Sequence, residues 1–182
     1  MRPWLLGTAV LGTGLAAGSA QAAAHAARLS GYNQIYRPQV HFSARRHWMN
    51  DPNGLVYYDG WYQMFFQYNP YGRRWGNMSW GHARSRDLLH WQQLPVAIPE
   101  SRRFMIFSGS AVVDWHDTSG FGVHGRPPLV AIYTAQPRAH RGPQTENLAY
   151  THRSAGGSGK NYSGNPVLNI GLRNFRDPKV LW

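Results

Sequence analysis

Short runs of strand-forming residues, separated by Gly, Pro, Asn and Asp, constrain the fold of this chain more than any other feature. Residues 55–58 and 61–66 flank an Asp59-Gly60 pair. This pair favours a type I′ turn, because both central residues of that turn need a positive φ. Further predicted strands are residues 79–84, 107–113, 129–134, 147–151 and 179–182. Helical periodicity is hard to find between these runs, so the sequence predicts an all-β fold.

Three of the predicted strands share a pattern in which a tight polar corner precedes an apolar run. The corners are Asp51-Pro52-Asn53-Gly54, Gly109-Ser110 and Asp177-Pro178, spaced 58 and 68 residues apart, and an aromatic residue lies before each corner. This spacing is in the range of four-stranded propeller blades with long loops. The repeat therefore predicts two blades of a β-propeller and the first strand of a third.

Propeller geometry predicts that two of these corners converge. The first strand of each blade lines the central channel, so equivalent corners point to the same end of the axis. Asp51 and Asp177 are 126 residues apart, and each lies before a proline and an apolar run. Either aspartate alone fits a turn role, but their matched positions indicate that both side chains point into the channel. Two blades by themselves leave open sheet edges.

The other acidic residues of the chain fit structural or solvated positions. They are Asp59, Asp87, Glu100, Asp114, Asp117 and Glu146. The aspartates lie in turns and loops, where their side chains bond nearby backbone amides. The two glutamates lie in polar connections flanked by Pro or Gln. This leaves Asp51 and Asp177 as the candidate functional carboxylates.

Aromatic residues near the polar corners indicate a sugar ligand. The chain has 8 Trp and 10 Tyr residues, and Trp48, Trp75 and Trp80 fall close to the corners. Most aromatic residues of a propeller belong to the core between blades, but a few would offer flat faces to carbohydrate C–H groups. Paired carboxylates on an axis ringed by aromatic residues suggest carbohydrate chemistry.

Several other functions are disfavoured by the sequence. The formal net charge is +11, but the basic residues occur as singles and pairs, which indicates a basic solvated surface and no nucleic-acid partner. There is no HExxH motif, and the 9 histidines lack metal-ligand spacing. Phosphate-binding loops and the GxSxG elbow are absent as well. We therefore expect no metal and no cofactor.

The first residues of the chain are typical of a secretory signal peptide. Met1-Arg2 precedes a stretch of Leu and small residues, and Ala20-Gln21-Ala22 fits the cleavage pattern. A membrane anchor needs about 18 or more apolar residues, whereas Gly, Thr and Ser interrupt this stretch. We predict a signal peptide over residues 1–22, with cleavage there or a few residues later. The mature protein is then secreted, extracellular or periplasmic, without stable membrane insertion.

Five ordered motifs within residues 38–182 resemble glycoside hydrolase family 32, the β-fructofuranosidases that include invertases, levanases and inulinases. They are WMNDPNG (48–54), QYNP (67–70), WGNMSWGH (75–82), FSGS (107–110) and FRDP (175–178). The family has a five-bladed β-propeller with an appended β-sandwich. The resemblance implies an all-β partial five-bladed propeller, with residues 38–182 as the N-terminal part of the catalytic domain.

The resemblance also implies roles for individual residues. Asp51 would be the nucleophile that attacks the anomeric carbon of a fructosyl unit and forms a covalent intermediate. Asp177 would bind fructose hydroxyls and stabilise the transition state. The positions that match sugar contacts are Asn50, Gln67, Trp75, Phe107, Ser108 and Arg176. A retaining hydrolase also needs a protonated acid about 5–5.5 Å from the nucleophile.

One part of the family pattern is not found in this sequence. The general acid is a glutamate in a Glu-Cys motif after the Arg-Asp-Pro strand, and neither Glu100 nor Glu146 has that context. We therefore expect the N-terminal fragment of a retaining enzyme that cleaves sucrose, levan or inulin, inactive by itself. The alternatives are a non-catalytic carbohydrate-binding remnant and a related propeller hydrolase that cleaves arabinan or xylan.

Overall fold

The computed structural model describes residues 34–138, 141–153 and 158–181. The chain divides into a unit that ends at Gln39 and a unit that spans Val40–Trp182. The described part of the first unit forms a turn in which the Arg37 N–H donates to the Gln34 carbonyl at 3.0 Å. The predicted signal peptide, residues 1–22, lies outside the described residues and stays a prediction. None of the described residues forms a helix that could cross a membrane.

The second unit contains two four-stranded antiparallel sheets. The first consists of β1 (Met49–Tyr58), β2 (Trp61–Tyr68), β3 (Ser79–Ser85) and β4 (Trp91–Ile98), and the second of β5 (Phe104–Val113), β6 (Leu129–Pro137), β7 (Thr145–Thr151) and β8 (Lys160–Asn161). Strand order follows chain order in both sheets. Such meanders are the blades of a propeller, so the all-β, partial-propeller prediction is confirmed.

The hairpin between β1 and β2 has the predicted turn. Asp59 has a φ of 52° and Gly60 a φ of 77°, so both central residues have the positive φ that a type I′ turn requires. Tyr58 pairs with Trp61 across the turn. The Asp-Gly pair therefore sets the register of the first two strands.

The corner that begins at Asp51 differs from its prediction, because it lies inside β1 rather than in a turn before the strand. The β1–β2 register is irregular at two places around it. Pro52 has no N–H to donate to the ladder, and Gly54 has a φ of 51°. A Cβ at Gly54 would lie 2.8 Å from the Phe65 ring and 3.0 Å from the Ala111 Cβ. This part of β1 is thus a bulged strand pressed against its neighbours.

The edges of the sheets were the least predictable part. β4 was not among the predicted strands, since two glutamines follow its first residue and it contains Pro95. Proline is tolerated there because β4 is an edge strand. Residues 179–181, predicted as the first strand of a third blade, belong to no sheet. Among the described residues no strand pairs with this segment, and extended backbone needs such a partner to form a ladder.

The two blades are held together by a buried aromatic cluster. Trp80 is fully buried, with its ring centroid 5.6 Å from Phe65 and 6.3 Å from Tyr133 of the second blade. Its indole Nε1–H donates to the Phe107 carbonyl of β5 at 2.9 Å. Trp80 is therefore a core residue, although its position in the sequence also suggested a ligand contact. This packing places β1 beside β5, the inner strands of the two blades.

Candidate functional site

Asp51 and Asp177 line one cleft of about 320 Å³. Its walls come from the bulged part of β1, from residues 108–110 of β5 and from residues 177–179. The predicted convergence of the two carboxylates is therefore confirmed, although they are 126 residues apart. The inner strands of the two blades and the segment after them bring both side chains to one site.

The Asp51 carboxylate is held by the neighbouring blade. Ser108 donates from its Oγ to Asp51 Oδ2 at 2.9 Å. Asn53, which is buried, donates from Nδ2 to the Asp51 carbonyl at 3.2 Å and accepts the Gly109 N–H at 3.1 Å. One side chain thus braces the backbone at Asp51 against the strand that carries Ser108. Asp51 itself is exposed in the cleft.

Asp177 is held in an uncommon backbone conformation. Its φ is 66°, a region that few non-glycine residues occupy. Its N–H donates to Thr134 Oγ1 at 3.0 Å. The Arg176 Nε lies 3.7 Å from Asp177 Oδ2, and both side chains are largely exposed. The exposed carboxylate is therefore fixed at its backbone and accompanied by a cation.

The predicted sugar-contact residues lie in different surroundings. Trp75 is half exposed, and its ring lies edge-to-face with the Phe107 ring at 6.0 Å. Asn50 accepts a hydrogen bond from Trp48 Nε1 at 2.7 Å. Ser108 lines the cleft directly and adjoins Phe107 in β5. Ser108 thus lines the cleft, whereas Asn50, Trp75, Phe107 and Arg176 are not among the described residues that line it.

Gln67 differs from the other predicted contacts because it is buried. It lies in β2 with an exposed fraction of 3%, and its Nε2 has no hydrogen-bond partner among the described residues. Gln67 does not line the cleft. Its role as a sugar contact, like the other roles implied by resemblance, stays a prediction.

Three residues of the site were not predicted from the sequence. Asn53 and Lys179 line the cleft with the two aspartates. Thr134 contacts Asp177 from β6. Asn53 and Lys179 each follow a corner aspartate by two positions, and this shared spacing was the available signal. Thr134 had none, because its contact depends on how the segment after the second blade folds back.

Glu146 is buried in a strand, although a polar connection was predicted for it, whereas Glu100 lies in the connection between β4 and β5, as predicted. Glu146 lies in β7 with an exposed fraction of 2%. Burial raises the pKa of Glu146, the Thr134 hydrogen bond lowers it, and the nearby Asp177 charge raises it. Glu100 forms an ion pair with Arg138, and its side chain is 10% exposed. Glu146 is therefore a buried acid that lies close to the cleft.

Sequence comparison identifies relatives of known activity. The model of the glycosyl hydrolases family 32 N-terminal domain matches residues 41–182. The chain is 52% identical over 160 residues to a levanase of Bacillus subtilis, covering 87% of this chain and 23% of the levanase. It is 47% identical over 175 residues to an extracellular exo-inulinase of Aspergillus awamori, covering 83% and 32%. The chain spans about a quarter to a third of the length of these relatives.

Solved structures show the same relationship. The exo-inulinase of Aspergillus awamori aligns with a TM-score of 0.71 and 44% identity, covering 76% of this chain and 30% of the inulinase. The β-fructofuranosidase of Schwanniomyces occidentalis, solved with fructosyl-erythritol, aligns with a TM-score of 0.75 and 39% identity, covering 84% and 30%.

Proposed function

The chain belongs to glycoside hydrolase family 32, and we propose that its cleft takes part in hydrolysing the O-glycosidic bonds of β-D-fructofuranosides such as sucrose, levan or inulin. One observation carries this proposal: Asp51 and Asp177 line the same cleft. The names of two relatives, levanase and exo-inulinase, agree with a fructoside substrate. The aromatic pair of Trp75 and Phe107, in which Phe107 adjoins the cleft residue Ser108 in the chain, has the apolar surface that suits the face of a sugar ring.

In this proposal Asp51 is the nucleophile of a retaining double displacement. One carboxylate oxygen attacks the anomeric carbon of the fructosyl unit, the bond to the leaving oxygen breaks, and that oxygen takes up a proton. Water then hydrolyses the fructosyl ester. The Ser108 hydroxyl orients Asp51 Oδ2, and the Asn53 brace limits the movement of the backbone.

Asp177 is assigned to stabilisation of the transition state. Positive charge develops on the sugar ring as the leaving group departs, and an exposed carboxylate held across the cleft opposes that charge. Arg176 and Lys179 would bind sugar hydroxyls beside it. Among the described residues that line the cleft, the carboxylates are Asp51 and Asp177. The proposal therefore assigns the general acid to a group outside this part of the cleft.

The proposed site of action is outside the cytoplasm, either extracellular or periplasmic. Residues 1–22 have the pattern of a signal peptide. Two relatives, from Aspergillus awamori and Aspergillus niger, are named extracellular exo-inulinases. Detection of the protein in the medium or periplasm, with an N-terminus after residue 22, would test this proposal.

The release of fructose tests the proposed activity. The full-length gene product is incubated separately with sucrose, levan and inulin, and with maltose as a control that contains no fructosyl unit. We expect fructose release from at least one fructoside and none from maltose. Binding of fructose and short fructans without release would instead favour a carbohydrate-binding remnant.

A further inference from the structure

A buried threonine and a buried glutamate lie directly behind Asp177. Thr134 of β6 and Glu146 of β7 face each other in the β6–β7 register. Thr134 is fully buried and Glu146 is 2% exposed. Thr134 Oγ1 lies 3.1 and 3.3 Å from the two carboxylate oxygens of Glu146. Among the described residues, no ion pair involves Glu146.

The same threonine hydroxyl also binds the backbone of Asp177. Thr134 Oγ1 accepts the Asp177 N–H at 3.0 Å. A hydroxyl has one proton to donate and two lone pairs. Since the proton is directed to the Glu146 carboxylate, a lone pair is left to face the Asp177 amide. Glu146 therefore sets the orientation in which Thr134 can accept that hydrogen bond.

The segment that contains Asp177 depends on this contact, because none of the described strands pairs with it. Asp177 has a φ of 66°, which few non-glycine residues adopt without support from their surroundings. Pro178 has no N–H to donate. The next backbone anchor is the Val180 N–H, which donates to Ser110 Oγ at 3.1 Å. Two hydroxyl groups of the second blade thus hold residues 177–180.

We propose that Thr134 and Glu146 are positioning residues, which together fix the backbone of Asp177 so that its carboxylate faces the cleft. Thr134 makes the contact, and Glu146 orients the Thr134 hydroxyl. Neither residue lines the cleft. The catalytic consequence of this arrangement rests on the proposed function, whereas the positioning itself does not.

Hydrogen–deuterium exchange at the Asp177 amide tests the positioning. The exchange is followed by NMR at the Asp177 amide itself, because Asp177 would be the second residue of a proteolytic peptide that starts at Arg176 and would lose its deuterium before detection. We expect Thr134→Val to speed exchange at Asp177 about fivefold to tenfold, as expected for the loss of one hydrogen bond. Thr134→Ser keeps the hydroxyl and should exchange like the wild type. The inference is wrong if the valine and serine variants exchange equally.

Three further variants separate the contact from general loosening of the sheet. Thr145→Val is the matched control, because the Thr145 hydroxyl donates to Asn147 and not to Asp177; it should leave Asp177 exchange unchanged. Glu146→Gln keeps an acceptor for Thr134, whereas Glu146→Met removes it. We expect faster exchange at Asp177 in the methionine variant alone. Equal exchange in these two variants would exclude a role for Glu146.

Kinetics of the full-length gene product test the catalytic consequence. If Asp177 stabilises the transition state, Thr134→Val lowers kcat for fructose release about tenfold with little change in KM, and Thr134→Ser restores it. An unchanged kcat, with faster amide exchange, would show that the positioning has no effect on catalysis. If the wild type releases no fructose, the proposed function fails, while the exchange measurement still decides the positioning.

Discussion

At the scale of single residues, the site depends on side chains that fix others rather than on the two carboxylates alone. Asn53 holds the backbone of Asp51, and Ser108 holds its carboxylate. Thr134 holds the backbone of Asp177. The contacts of Ser108 and Thr134 cross from one strand or segment to another, so the positions of the two carboxylates depend on the packing between these strands and segments.

The contact between Ser108 and Asp51 makes a direct prediction. Ser108→Ala removes the hydroxyl that donates to Asp51 Oδ2. A hydrogen bond to a charged group contributes about 1.5–3 kcal/mol, so we expect kcat/KM for fructose release to fall by about 10- to 100-fold. Ser163→Ala is the control, because Ser163 is exposed and lies outside the residues that line the cleft. Equal activity of the two variants would contradict the role of Ser108.

Gly54 makes a prediction about stability. Gly54→Ala places a Cβ 2.8 Å from the Phe65 ring at a φ of 51°. Overpacking and the left-handed backbone together should lower the free energy of unfolding by about 3 kcal/mol. Gly60→Ala is the matched control, since its φ is 77° but no atom lies within 4 Å of the added Cβ; a loss of about 1 kcal/mol is expected. Urea denaturation gives both values, and equal losses would show that the contacts at Gly54 do not matter.

At the scale of the strands, a buried histidine connects β2 and β3. His82 is 3% exposed, its ring stacks on Phe65 at 4.4 Å, and its Nε2 lies 2.8 Å from Gln63 Oε1. Burial, with a smaller effect of the Arg84 charge, lowers the pKa of His82 to about 4. The folded protein therefore keeps this ring neutral at a pH where the unfolded chain already binds a proton.

This difference predicts a pH dependence of stability. In the unfolded chain His82 has a pKa of about 6.5. Above pH ~6.5 the neutral His82 therefore costs the folded state no stability, and the free energy of unfolding falls as the pH decreases from there towards 4. The loss is about 3 kcal/mol. Glu146 acts in the opposite sense above its unfolded pKa, because its folded pKa is raised. The comparison is therefore made between the wild type and His82→Gln by urea denaturation from pH 7 to 4; parallel curves would contradict the prediction.

The sequence predicted those strands whose composition matches their environment. The β1–β2 hairpin and the inner strand β5 are rich in apolar and aromatic residues and are flanked by turn residues, so their existence followed from pattern. β4 contains two adjacent glutamines and an internal proline, and β8 has two residues, so neither has a periodic signal. Residues 179–181 have a strand-like composition, but without a paired neighbour among the described residues they stay outside a sheet.

At the scale of the whole molecule, the repeat carried more information than any local pattern. Matching the corners at Asp51 and Asp177 predicted that two distant carboxylates meet, and they line one cleft. The supporting contacts of Asn53, Thr134 and Glu146 could not be predicted in this way. They depend on the register between adjacent strands and on packing between blades, neither of which leaves a periodic signal in the sequence.

The site needs residues from both blades, and the packing between the blades brings these residues together. The Trp80 indole joins β3 to β5 through the Phe107 carbonyl, one residue before Ser108. The inner strands β1 and β5 then lie side by side, which brings Ser108 to Asp51. The site therefore requires both blades to be folded and packed together.

The rate of fructose release by the Asp51→Asn variant of the full-length gene product tests whether Asp51 is the nucleophile. Asparagine keeps the shape of the side chain but cannot act as the nucleophile, so we predict a fall in kcat on the order of 10⁴-fold or more. Asp59→Asn, which changes an exposed carboxylate in the turn at the other end of the same strand, should stay within about twofold of the wild type, since surface substitutions have small effects. An Asp51→Asn variant that released fructose within tenfold of an active wild type would contradict the assignment of Asp51 as the nucleophile.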